Sequence, residues 1–254
     1  MLSQLVSWSC IALESVLLFR GLRSKLGSRY PAFYTYISFV LFQDLLCYFA
    51  FRWAPHLLYT YIYWITEFLC ILLSCGIVLE VYRVGLSAYP GTARITRKVL
   101  GLVFVVALAK ALVSAANDPR WWLEATAKDV AGTLRAVQGV AIVALVSLFL
   151  FYAIPFGRNL RGILVGYGLF VCWTVICLTL SSSVNDNVHA VLKNLYQSSY
   201  PVFLIFWLVH LWSYQTNPAS EVEVPLEREY ERIAAATRRR LQDARGQLAK
   251  VVGS

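Results

Sequence analysis

Two acidic residues lie near the middle of long apolar runs in this sequence. Asp44 belongs to the run 33–51, and Glu67 belongs to the run 57–82. A carboxylate at the centre of a bilayer costs about 3 kcal/mol or more unless an ion pair, a hydrogen bond or water balances its charge. Ionisable groups at that depth commonly bind ions or polar solutes, or relay protons. These two carboxylates are therefore the first candidates for chemistry.

Basic and polar residues in other apolar runs are candidates to balance the two acids. Lys110 and Arg135 are predicted to lie in the same half of the membrane as the acids. Residues three or four apart share one face of a helix, so Gln138 follows Arg135 and Ser199 follows Tyr196 on common faces. The predicted ligand or ion cavity consists of Asp44, Glu67, Lys110, Arg135, Gln138, Tyr196 and Ser199.

A third intramembrane acid, Glu14, lies in the first apolar run, closer to its basic flank. No basic residue is predicted at its depth. Two alternatives are open: a hydroxyl such as Ser74 or the imidazole of His210 accompanies it, or the carboxyl group carries a proton because burial disfavours its charged form. Glu14 and His210 together form a predicted inner relay point for protons.

The sequence contains few of the patterns that are typical of catalytic or metal sites. The sequence has no Gly-rich phosphate loop, no His-Glu-x-x-His and no Gly-x-Ser-x-Gly motif. Asp186 and His189 are three residues apart, but no second pair supports a metal site. The six cysteines fall inside apolar runs, where a small buried hydrophobic role is the default. We therefore expect no enzymatic activity, no metal and no cofactor.

Composition indicates which elements position these residues. The chain has 254 residues, of which 59% are hydrophobic and 15% charged, and its mean hydropathy is +0.60. Soluble domains approach a quarter charged residues, so an all-α polytopic membrane protein is predicted. Residues 1–216 are expected to form one domain, a seven-transmembrane-helix bundle. Its predicted spans are 2–19, 33–51, 57–82, 99–116, 130–154, 160–182 and 191–213.

The distribution of basic residues predicts the orientation. The net charge is +9, and Lys and Arg concentrate in the joins after the first, third and fifth spans and in the tail. The positive-inside rule then places the amino terminus outside the cell membrane and the carboxyl terminus in the cytoplasm. The same charges do not form an aromatic-interleaved surface, so nucleic-acid binding is not expected.

Residues 217–254 form a charged tail with a helical apolar stripe. Its members recur at spacings of three or four residues: Leu226, Tyr230, Ile233, Thr237, Leu241, Ala244 and Leu248. Two interpretations remain open. The tail is either a cytoplasmic amphipathic helix on the lipid surface or a short coiled coil that pairs two protomers or reaches a cytoplasmic protein.

Three functions fit this organisation. The first hypothesis is a membrane sensor or signalling subunit with an outward-facing polar cavity for a small ligand or ion and a tail that couples to a partner. The alternative is a small-solute or proton-coupled transporter that uses the intramembrane carboxylates. The third is a structural membrane subunit whose buried ions only fix helix packing.

Overall fold

The computed structural model of the chain describes residues 2–86, 90–116, 123–151, 157–181, 186–215, 232, 235–237 and 239–240. The chain divides into two compact units, Met1–Pro218 and Ala219–Ser254. In the second unit, the described residues are helical and exposed. Leu226, Tyr230, Ile233, Leu241 and Leu248 lie outside the described residues, so the amphipathic tail stays a prediction.

The first unit is built from helices, and the described ranges contain no strand. One helix is a single turn, and the other seven have 22 to 30 residues. At 1.5 Å per residue, each long helix reaches roughly 33 Å or more, about the thickness of a bilayer's hydrocarbon core. In chain order the helices are α1 (Leu2–Arg23), α2 (Leu26–Arg29), α3 (Pro31–Trp53), α4 (His56–Gly85), α5 (Pro90–Ala116), α6 (Leu123–Phe151), α7 (Arg158–Ser181) and α8 (Asp186–His210).

Four of these helices are both long and apolar enough to cross a membrane: Gln4–Arg23, Pro31–Trp53, His56–Gly85 and Arg158–Cys177. A shorter apolar helical stretch, Gly132–Ser147, lies in α6. The described part of the chain is helical, as predicted, and its four apolar helices support the prediction of a membrane protein. Each remaining predicted span coincides with a long helix, but a total of seven crossings stays a prediction.

Six of the long helices form a closed ring. Each helix packs against the next in the order α1, α3, α4, α6, α7 and α8, and α8 packs against α1 again. Helix α5 contacts α4 and α6 from outside this ring. The ring therefore has an interior that α5 does not reach.

The two ends of the ring differ in composition. The end with the α3–α4 turn carries Trp53, Tyr59, Tyr61 and Tyr63, and we call it the aromatic end. The opposite end, which we call the basic end, carries the residues Arg20, Arg23, Arg29, Arg83 and Arg158. Arg20 joins α1 to the chain after α8 at this end, because its Nη2 donates to the Trp212 carbonyl at 2.7 Å.

The interior is tightly packed towards the basic end. Phe33, Ile77, Leu204 and Trp207 have exposed fractions of 0%, and we call this set the floor. The rings of Phe33 and Trp207 meet edge to face at 5.4 Å, which joins α3 to α8 across the ring. Helix α7 approaches α8 closely here at Gly166, where a Cβ atom would lie 2.4 Å from Trp207 Nε1. A side chain at that position has no space, so glycine permits this packing.

Candidate functional site

A cavity of about 540 Å³ lies above the floor, and every helix of the ring contributes to its wall. Its volume is in the range of small-molecule sites in proteins. Ser7, Asn194 and Gln197 line it and are exposed, and they lie in the first half of α1 or α8. Among the described residues, the cavity therefore opens towards the aromatic end and is closed at the floor.

An ion pair crosses the cavity between α4 and α6. Arg135 Nη2 donates to Glu67 Oε1 at 3.0 Å, and both side chains are mostly buried, with exposed fractions of 14% and 25%. Arg135 Nη1 also donates to the Tyr196 hydroxyl at 3.3 Å, which adds α8 to the contact. The pair neutralises one of the two midplane acids. Charge-assisted hydrogen bonds of this kind are about twice as strong as neutral ones.

Gln43 extends this contact to α3. Its Nε2 donates to the second oxygen of Glu67 at 3.5 Å, and its Oε1 accepts from the Cys70 thiol at 2.7 Å. The amide thus uses both of its polar ends in the cavity wall. This arrangement fixes the distance between α3 and α4 beside the ion pair.

A second polar cluster lies deeper, between α4, α6 and α7. Gln138 is 0% exposed. Its Nε2 donates to the Ser74 hydroxyl at 2.8 Å, and its Oε1 accepts from the Tyr167 hydroxyl at 3.0 Å. Gln138 also donates to Cys75 Sγ at 3.1 Å. Because these buried groups satisfy one another, the cluster fixes helix positions and offers little to a ligand.

Asp44 differs from the other charged groups of the wall. It lines the cavity from α3 and is half-buried. Among the described residues it makes no hydrogen bond and no ion pair, and its charged neighbours, Glu14 and Glu67, are both acids. A cavity-facing carboxylate without a protein partner is available to a ligand or to water.

Glu14 lies next to this group and is completely buried. Its exposed fraction is 0%, and none of the described residues places a donor in good hydrogen-bonding geometry with either carboxyl oxygen. The Tyr200 hydroxyl of α8, which is also buried, lies close enough to this carboxyl group to be its hydrogen-bond donor. A completely buried carboxyl group with an acid and a hydroxyl as neighbours is costly in an apolar interior when it is charged.

The structure brings most of the predicted cavity residues together. Asp44, Glu67, Arg135, Gln138 and Tyr196 all line the same cavity. The wall also contains residues that the sequence analysis did not select, in particular Gln43 and Tyr36. Both lie on the α3 face of Asp44, because positions 36, 40, 43 and 44 follow one helical stripe. That spacing was the available signal for them.

Two predicted cavity residues lie elsewhere. Lys110 is exposed on α5, outside the ring, so it does not balance the acids of the interior. Ser199 is absent from the cavity wall, and its hydroxyl donates to the Tyr196 carbonyl of its own helix at 2.7 Å. Lys110 is excluded from the cavity because α5 contacts α4 and α6 from outside the ring. The Ser199 hydroxyl is not available to the cavity because it bonds to the backbone of α8.

The predicted inner relay is not assembled. His210 stacks on Phe206 at 4.1 Å and its Nδ1 lies 2.9 Å from the Phe206 carbonyl oxygen. Ser74, the other proposed companion of Glu14, is bonded to Gln138 instead. Glu14 therefore has neither predicted partner, and its nearest polar neighbours lie on the cavity side.

The described residues contain no group of three or more His, Cys, Asp or Glu side chains that is arranged to hold a metal ion. The six cysteines are free thiols. The chain matches no protein-family model, and neither its sequence nor its fold significantly matches a characterised protein or a solved structure. Its function is therefore argued from the cavity itself.

Proposed function

We propose that this chain is a multi-pass membrane sensor or signalling subunit that binds a small polar solute in the cavity of its six-helix ring. The observation that carries this proposal is Asp44, a carboxylate on the wall of a 540 Å³ cavity with no partner among the described residues. The other charged wall groups, Glu67 and Arg135, are paired. Asp44 is thus free to contact a solute.

The proposal includes seven membrane crossings. Helices α5, α6 and α8 have 27, 29 and 25 residues, which is enough to span a bilayer. Helices α6 and α8 are also members of the same ring as the four apolar helices. Helices that pack side by side in the ring lie at similar depths. We therefore expect α6 and α8 to lie in the membrane with the four apolar helices. The basic end would then face the cytoplasm.

Access from one side supports sensing. The floor closes the interior towards the basic end, and the exposed wall residues lie towards the aromatic end. In the proposed orientation, the cavity samples the outside while residues 217–254 remain in the cytoplasm. The tail would convey solute binding to a cytoplasmic partner or to a second copy of the chain.

A transporter is the second candidate, and Glu14 favours it. A completely buried carboxyl group with no cation beside it among the described residues is far less costly in this setting when it carries a proton. Pro201 interrupts the hydrogen bonds of α8 one residue after Tyr200, and such breaks permit helix movement. A proton-coupled carrier would use both features.

Reconstitution in proteoliposomes tests these candidates. Wild-type protein and Asp44→Asn are compared for binding of a panel of small polar solutes and for solute or proton flux. Lys110→Gln is the matched control, because it removes a charge outside the ring. Solute binding that is lost in Asp44→Asn, without flux in any variant, supports the sensor. Flux that is lost in Asp44→Asn supports the transporter.

Residues 217–254 provide a second test of the sensor hypothesis. A chain that ends at Ser220 should bind solute as the full chain does, and solute should change hydrogen exchange in residues 221–254 of the full chain. Unchanged exchange there contradicts the sensor. If the wild-type protein shows neither binding nor flux and Asp44→Asn changes only thermal stability, the chain is a structural subunit, the third hypothesis.

A further inference from the structure

We infer that the solute is a small organic cation, an amine or a quaternary ammonium compound, whose charged group lies against Asp44. This inference rests on the proposed function and specifies the chemical class of the solute. Its basis is the charge of the cavity, the aromatic side chains of its wall and its size.

The charge balance of the described wall is negative. Its charged residues are Asp44, Glu67 and Arg135. Arg135 is already bonded to Glu67 and to Tyr196, so its charge offsets one acid and leaves the other. Glu14, which is buried near Asp44, adds a third carboxyl group rather than a cation. An anionic solute would meet an unpaired carboxylate, whereas a cation would complete the balance.

Aromatic side chains surround the same space. Tyr36, Tyr63, Phe170 and Tyr200 line the cavity and come from α3, α4, α7 and α8. The negative faces of such rings attract ammonium groups, and a set of rings is a common way to recognise quaternary ammonium compounds. Rings also provide apolar contact for the methyl or methylene groups that an organic cation carries and a hydrated inorganic ion lacks.

Size and ligand number argue against a bare metal ion. Ca²⁺ takes six to eight oxygen ligands and Mg²⁺ requires near-octahedral coordination. The described residues offer no cluster of three metal-ligating side chains, and Glu67 is occupied by Arg135 and Gln43. A cavity of about 540 Å³ instead has space for an organic molecule with several carbon atoms.

The experiment measures binding of charged and neutral probes of equal shape. Full-length protein in lipid nanodiscs is titrated with methylammonium, with choline and with 3,3-dimethyl-1-butanol, the uncharged isostere of choline. We expect one or both cations to bind, and choline to bind about tenfold or more tightly than its isostere. Glucose and acetate in the same titrations report on neutral and anionic solutes.

Two variants of Asp44, one neutral and one charged, distinguish the loss of the charge from a loss of folding. Asp44→Asn should reduce the preference for choline over its isostere to within about threefold, and Asp44→Glu, which restores the charge, should retain most of it. Lys110→Gln should match wild type. Thermal unfolding of each variant without probe establishes that it is folded.

The outcomes separate this inference from the proposed function. If a neutral or anionic probe binds in the cavity and the cations do not, the cation class is wrong while solute binding stands. If the cations bind but Asp44→Asn leaves the choline preference unchanged, the assignment of Asp44 is wrong. If no probe or other polar solute binds, both the inference and the proposed function are contradicted.

Discussion

Arg135 Nη2 lies 3.0 Å from Glu67 Oε1, and this single contact divides the acids of the cavity into one that is paired and one that is not. Asp44 lies in the same wall without a cation. The pair therefore has a structural part in the ring, whereas Asp44 is left for a solute. The two carboxylates are predicted to respond differently to neutralisation.

Breaking the ion pair should destabilise the ring. Glu67→Gln leaves the Arg135 guanidinium without its carboxylate in a mostly buried position, and we expect a loss of about 2 kcal/mol in the free energy of unfolding. Unfolding in a denaturing detergent measures this loss. The double variant Glu67→Gln, Arg135→Gln should lose less than the sum of the two single variants. Strict additivity of the losses would show that the contact contributes nothing.

Glu80 is expected to stabilise the hairpin of α3 and α4. Its two carboxylate oxygens accept from the backbone N–H groups of Ala32 and Phe33, at 2.9 and 3.0 Å, in the first turn of α3. Glu80→Ala leaves both donors without this partner, and we expect a loss of about 2 kcal/mol in unfolding free energy. Hydrogen exchange should increase at residues 32 and 33 and not at the aromatic end of α3. Unchanged exchange at these two amides would contradict the assignment.

Tyr167→Phe tests the deeper polar cluster. The substitution removes the hydroxyl that donates to Gln138 Oε1 at 3.0 Å and leaves a buried acceptor unpaired. A loss of about 1 kcal/mol is expected in unfolding free energy. Tyr61→Phe is the matched control, since Tyr61 is 55% exposed and should show almost no effect. Equal effects in the two variants would argue against the cluster.

Gly166 should tolerate no side chain. In Gly166→Ala the added Cβ would meet Trp207 Nε1 at 2.4 Å, and separating α7 from α8 is expected to cost about 2 kcal/mol of unfolding free energy. Gly101→Ala is the matched control, because nothing lies within 4 Å of its Cβ position. That variant should be neutral or gain up to about 1 kcal/mol from helix propensity. Thermal unfolding of both variants compares them directly.

The long helices were predictable because bilayer-length apolar runs have few other stable conformations. Which helices pack against one another was less predictable. Lys110 was assigned to the cavity from its depth along α5, but depth does not determine which side of a helix meets the bundle. The exclusion of α5 from the ring depends on contacts between distant segments. A single sequence shows no pattern for such contacts.

The residues of the candidate site were also predicted only in part. Helical spacing placed Arg135 and Gln138 together on α6, and both line the cavity. It also placed Ser199 beside Tyr196, where the hydroxyl instead bonds to its own helix. Gln43 lay on the stripe of Asp44 and was recognisable from it. The role of Glu80 could not be recognised from the sequence, because its partners are backbone N–H groups of another helix.

Glu80 has a mechanical consequence for entry into the cavity. At the aromatic end, α3 and α4 are joined by the short connection of Ala54 and Pro55. At the other end the hairpin is clamped by the carboxylate of Glu80. Because α3 and α4 are connected at both ends, we expect them to move as one rigid unit. Any widening of the cavity opening at the aromatic end is therefore expected to come from the other helices of the ring.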